Sequence, residues 1–195
     1  LHVLHANTAY QVGPLSLELA NLTHSIPDPA ALVLRTDAGN ILHTGDWKFD
    51  ETPTLGNDTD RARLKEIGDE GIMALVGDST NAMVEGRTLS ESVAQKGLTE
   101  AIADAKHAVA VTLFASNVAR IKSIIAAAQA NGRSVCVAGR ALTRTISAAK
   151  EVGYLKDIPD FVPETEANLV PRENLVIICT GSQGETRAAM ARIAN

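Results

Sequence analysis

AVAVTLFASNVARIKSIIAAAQANGRSVCVAGRALTRTISAAKEV, residues 108–152, holds the pattern that decides the fold: a β-branched run, a small polar turn, then a longer segment with apolar residues at helical spacing. Four such apolar runs occur, IMALV from Ile72, AVAVTLF from Ala108, SVCVA from Ser134 and LVIICT from Leu175. Helical spacing fills residues 89–106, 118–130 and 142–152. Strands alternating with helices predict a parallel sheet joined by right-handed crossovers. Runs that stay apolar at successive positions predict strands covered on both faces. The four runs are therefore expected to form a doubly wound α/β layer. Residues 154–174, with Pro159, Pro163 and Pro171, are expected to form a loop carrying at most one short strand or turn.

Upstream the period changes. LSLEL at 15–19 alternates apolar and polar residues, and ALVL at 31–34, DAGN at 37–40 and ILHT at 41–44 give strand, tight turn and strand. The first third is thus a β-rich meander. A polar, turn-rich stretch over 48–60 leads into helix formers at 59–67, with Asp60 placed to cap or charge the first turn. The boundary is expected near Val84 to Leu89, dividing the chain into domains 1–86 and 87–195.

At 195 residues and 45% hydrophobic, the chain suffices for one substantial core or two small ones. Its net charge of −5 argues against binding nucleic acid through a broad basic field, while a metal-centred or locally basic RNA site stays open. Cys136 and Cys179 lie in separate apolar runs and are expected to be free buried thiols. No apolar stretch approaches the roughly 20 residues of a membrane span and no signal-type segment opens the chain, so the default compartment is the cytoplasm. The start, Leu1-His2-Val3-Leu4 without Met, has the look of a piece cut from something longer.

In an open parallel sheet, ligands bind beyond the carboxyl ends of the strands. The turns there are small and polar: Asp78-Ser79-Thr80-Asn81, Ala115-Ser116-Asn117, Gly139-Arg140 and Gly181-Ser182-Gln183-Gly184-Glu185. Such turns suit a phosphodiester, through hydroxyl, amide and helix N-terminal N–H donors and the guanidinium of Arg140. The plainer reading is that Ser, Asn and Asp cap helices there and that Arg140 pairs with a carboxylate. The most chemical segments are THSIPD at 23–28 and HTGDWKFD at 43–50, each ending a β run. Imidazole and carboxylate at strand ends are the donors of hydrolytic zinc sites. By spacing alone the signal is weak, because His2, His5, His43 and His107 complete no metal-binding pattern, and His43 is expected to pack within its strand or support a ligand.

The succession THSIPD, HTGDWKFD, GDSTNA, TLFASNVARI, AGR and CTGSQGE, in that order over residues 12–194, resembles RNase J. The resemblance implies part of a metallo-β-lactamase αββα sandwich followed by a flavodoxin-like, parallel-sheet β-CASP domain. It implies that His24 is a zinc ligand, that Asp46 bridges two Zn²⁺ ions, and that Asp78, the acidic residue opening the β-CASP region, shares the catalytic role with Asp46. It further implies an RNA path lined by Ser79, Thr80, Asn81, Ser116, Asn117, Arg140, Ser182, Gln183, Gly184 and Glu185. The family's His-x-His-x-Asp-His cluster and its later histidines have no counterpart in these residues, and Ala119 stands where many relatives have His. The implied activity of the parent is zinc-dependent 5′-to-3′ exonucleolytic and endonucleolytic cleavage of RNA, while this chain alone is expected to lack a complete active site. The alternatives are a non-catalytic RNA- or partner-binding module, a nucleotide-binding module, and a DNA-acting or other hydrolase of the same fold. Open sheet edges in a partial sandwich would favour self-association or a homo-oligomer.

Overall fold

The structure is a computed structural model and describes residues 2–194. The chain divides into two compact units at Ser90/Glu91. In the first unit, β1 (Tyr10–Val12), β2 (Leu15–Asn21), β3 (Ala30–Thr36) and β4 (Gly39–Gly45) form an antiparallel meander. The helix α1 (Arg61–Asp69) then leads to β5 (Ala74–Gly77), which pairs with β4 in parallel. Asp60 caps α1 as its position suggests, its Oδ1 accepting from the Arg63 N–H at 2.9 Å.

The IMALV run thus joins the first sheet and not the second. Its parallel pairing requires a crossover, and α1 supplies it, so the strand-and-helix pattern is correct while its membership in the later layer is not.

The meander also uses its two faces differently from what LSLEL suggests. Glu18 and Ala20 lie on the buried face with Ala31 and Val33, in registers Glu18↔Val33 and Ala20↔Ala31. Leu22 and Ile67 of α1 complete that cluster, joined by Leu42, Trp47, Leu64 and Ile72. The leucines of the alternation, Leu17 and Leu19, sit half-buried on the other face beside Leu34 and Leu32.

A charge on the covered face needs partners, and Glu18 has two. Arg63 on α1 donates to it through Nε at 2.6 Å and Nη2 at 2.8 Å, and Arg35 on β3 approaches at 2.8 Å. Arg35 is held in turn by both oxygens of Glu70. This network fastens α1 across β2 and β3. The Arg63 and Arg35 guanidiniums hold the Glu18 carboxyl below the usual glutamate range, against the opposing pull of burial.

In the second unit the order is α2 (Glu91–Asp104), β6 (Val109–Thr112), α3 (Val118–Ala130), β7 (Ser134–Ala138), α4 (Arg140–Glu151), β8 (Leu175–Cys179) and α5 (Ala189–Ile193). The sheet is parallel and three-stranded, ordered β6-β8-β7. Its core includes Ile121, Ile124, Ile125, Val135, Leu142, Val176 and Ile178. The mixed α/β architecture with a parallel sheet is the expected class, with three of the four runs in this layer. Cys136 and Cys179 are buried and unbonded, and burial pushes both thiols up.

The proline-punctuated arm contributes one bridge, Val162 beside Cys136, and two 3₁₀ turns at Glu164–Leu169 and Arg172–Asn174. Glu91, 5% exposed, takes a two-pronged hydrogen bond from Arg120 at 2.7 and 3.0 Å, which ties α2 to α3.

Breaking the Glu18 network tests its weight. Glu18→Ala should destabilise the protein by about 3 kcal/mol, the low end for orphaning one side of a buried pair because both guanidiniums keep some water. Urea unfolding at neutral pH reads this directly. The depressed carboxyl makes the contribution full above the ordinary glutamate value of 4.5 and lost as pH falls below it. The stability gap between wild type and variant should therefore narrow on acidification; an unchanged gap would show that the network does not hold the charge.

Candidate active site

Two parallel strands that end in register place the residues after them side by side. Gly45 of β4 pairs with Gly77 of β5, and the next residues are Asp46 and Asp78. The pairing slips between His43 and Gly45, where Gly45 adopts φ +59, a left-handed conformation that glycine takes without strain. Thr44 joins the strand ends, its Oγ1 accepting from the Asp78 N–H at 3.3 Å. Asp46 is exposed, and among the described residues its carboxylate makes no hydrogen bond or ion pair. His43 is exposed on β4, where its Nδ1 accepts from the Gly45 N–H at 3.0 Å. It therefore supports the bulge beside Asp46.

His24 reaches the same corner through its neighbour. Thr23, only 3% exposed, bridges to Lys48, whose N–H donates to the Thr23 carbonyl at 2.9 Å. The Thr23 hydroxyl also hydrogen-bonds the Lys48 carbonyl, the Asp50 N–H and the Thr59 hydroxyl. One donor and two lone pairs are thereby all used. THSIPD and GDWKFD are consequently locked together with His24 and Asp46 flanking the seam. Sequence patterning gives no hint of Thr23's role, since an isolated threonine before a histidine carries no periodic signal.

A cavity of about 680 Å³ opens in this unit, lined by His24, Asp78, Ser79, Thr80 and Asn81 on one part and Trp47, Lys48, Phe49, Glu51 and Arg61 on another. Asp46 is not among its lining residues. Within it, Asp78 Oδ1 accepts from the Thr80 hydroxyl at 2.6 Å and the Thr80 N–H at 2.8 Å. These bonds, hydroxyl first, hold the Asp78 carboxyl below the usual aspartate range, with a smaller contribution from the charge His24 carries when protonated. Asp78 is thus an oriented, ionised carboxylate facing a histidine.

In the second unit, registers Thr112↔Cys179 and Ala138↔Cys179 align the carboxyl ends of all three strands. Ser116, Asn117, Arg140 and the 182–185 segment leave from that one end. Asn117 caps α3, its Oδ1 accepting from the Arg120 N–H at 2.9 Å, as the plainer reading has it. Arg140 is exposed and forms no ion pair among the described residues. Glu185 accepts from the Gln183 N–H at 3.1 Å. Gly181, at φ +127, is indispensable, because a Cβ there would lie 2.8 Å from that of Met190. Ala119 is buried in α3.

Among the described residues no three His, Cys, Asp or Glu side chains come together as a metal cluster. His24, Asp46 and Asp78 do not by themselves fit two ions.

A family model for "Ribonuclease J, beta-CASP domain" matches residues 106–195. Ribonuclease J of Sinorhizobium meliloti is 49% identical over 94% of this chain and 32% of the relative. By these matches the chain resembles part of ribonuclease J. Ribonuclease J2 of Bacillus subtilis is 35% identical across 100% of the chain and 35% of the relative, and Ribonuclease J of Thermus thermophilus is 40% identical across 94% and 32%. The chain spans about a third of the length of these ribonuclease J proteins. A crystal structure of a protein of unknown function from Enterococcus faecalis matches 92% of this chain and 45% of its own, with a TM-score of 0.63 at 16% identity, a likeness of fold alone. No helix of the described residues is long and apolar enough to cross a membrane.

The Asp78–Thr80 contact can be tested directly. Thr80→Val removes the hydroxyl donor and should raise the Asp78 pKa toward its ordinary value of 3.8. Carboxyl-carbon NMR titration of chelator-treated protein measures it, and an unmoved titration would place the cause elsewhere.

Proposed function

We propose that this chain is part of a zinc-dependent ribonuclease, in which His24 and Asp46 are metal ligands and Asp78 acts beside them on an RNA phosphodiester. The observation carrying the reading is the register that sets Asp46 and Asp78 at adjacent strand ends, with His24 held against the same corner by Thr23. The relatives' name supplies the substrate class. Residues outside this chain would complete the ligand set, and two Zn²⁺ ions held there would supply Lewis acidity and an activated water. The chain by itself lacks a complete site.

The first unit is the metallo-β-lactamase part of this reading, and the second is the β-CASP domain. The half-buried leucines on the outer face of the meander support the former, since a sandwich buries such a face under a second sheet. Where that sheet is absent, the same face would drive self-association. Ser79, Thr80 and Asn81 line the cavity and would contact the RNA backbone there. Ser116, Asn117, Arg140, Ser182, Gln183, Gly184 and Glu185 would form a second contact area at the end of the parallel sheet, where exposed Arg140 is the cation for phosphate. The compartment implied by RNA maturation and decay is the cytoplasm.

In the full-length protein, Asp46→Ala should abolish cleavage of a 5′-monophosphorylated RNA, by about a hundredfold or more, while circular dichroism stays that of wild type. A folded variant with wild-type turnover would remove Asp46 from the site.

A further inference from the structure

The chain has few aromatic residues, one Trp, two Tyr and three Phe, yet Trp47 and Phe49 both line the cavity beside His24. Phe49 is 43% exposed, although a phenyl ring gains by leaving water. It is also held in place. Its neighbours on either side are bonded to Thr23, the Lys48 N–H through the carbonyl and the Asp50 N–H through the hydroxyl. Trp47 meets the ring edge-on, with centroids 4.9 Å apart and planes at 62°. The guanidinium of Arg61 lies 4.5 Å from the ring centroid and is itself tied to Glu51 at 2.6 Å. An exposed ring fixed on several sides is a preorganised planar surface.

The rest of the cavity limits what that surface would hold. Lys48 is paired with Asp50 and Arg61 with Glu51, which leaves Arg87 as the lining cation without an ion pair among the described residues. Hydroxyl and amide donors come from Ser79 and Asn81. A flat π-surface, an uncommitted guanidinium and neutral hydrogen-bond donors match a nucleotide, with its base on the ring and its phosphate toward the cation.

We infer that Phe49 with Arg61 forms a stacking platform for one nucleobase of the RNA, next to the scissile phosphate. The inference rests on the ribonuclease reading given above. Phe49 is a positioning residue: it fixes the strand relative to His24, Asp46 and Asp78 and takes no part in bond breaking. Stacking accepts any base, because each has a π-face, so the platform sets register and not sequence.

The test uses the full-length protein and a set of RNA oligonucleotides, each with one abasic nucleotide at a successive position. Phe49→Leu keeps apolar volume without the π-face, and Phe49→Tyr keeps the ring. Wild type and Phe49→Tyr should lose about tenfold in kcat/KM when the stacked base is removed, mostly through KM. Phe49→Leu should show that loss already on intact RNA and lose little more at the same abasic position. A purely structural ring would slow all substrates alike, and equal abasic profiles for wild type and Phe49→Leu would overturn the platform while leaving the ribonuclease reading intact. A wild-type protein that cleaves no RNA would overturn both.

Discussion

The Thr23 hydroxyl is the point on which the candidate site depends. It sits where the ends of β2 and β4 pass each other, and it is almost wholly buried. A buried hydroxyl with an unmet bond costs roughly 1–3 kcal/mol, whereas this one serves three partners on two segments. Thr23's own segment carries His24, and the partner segment at 46–50 carries Asp46, Trp47 and Phe49. Loops that bear polar chemistry lack the packing that fixes strands, so their geometry has to come from bonds of this kind.

Around that seam the unit treats its charges in two ways. Glu18 and Asp50 are buried with cationic partners, and their charges are spent on holding α1 and the 48–50 segment in place. Asp46 and Asp78 differ. Asp46 has no partner among the described residues, and Asp78 is oriented by neutral donors from Thr80, with no cation bonded to it. Neutral donors orient a carboxylate without cancelling its charge, so Asp78 keeps its charge toward the cavity. The parallel pairing of β4 with β5 makes this possible, because antiparallel neighbours would send the two strand ends in opposite directions.

The sequence made the strands and helices legible because their signals are local and periodic. SVCVA and LVIICT are largely apolar runs, and both are strands of the parallel sheet, LVIICT at its centre. Asp60 and Asn117 were readable as caps for the same reason, since a cap acts within three residues. What escaped was partnership at a distance. IMALV has the texture of the later strands, yet it pairs with β4 and leaves Met73, Leu75 and Val76 exposed, because strand texture reports neither which edge is vacant nor what covers it. LSLEL reported a strand correctly but hid that its glutamate faces α1, an arrangement stable only through Arg63 and Arg35 on other elements. His24 and Asp46 were singled out by resemblance alone, whereas Thr23 and the Phe49–Arg61 stack depend on contacts between segments.

That difference has a physical consequence for how much of the site these residues carry. A fold of this size can fix the direction of a few donors by strand register and one buried hydroxyl. Among the described residues no three His, Cys, Asp or Glu side chains are grouped to hold an ion. Under the zinc reading proposed above, the corner is ordered before its remaining donors arrive. Rigidity of a partial donor set lowers the cost of finishing it, since a donor arriving from elsewhere need order only itself.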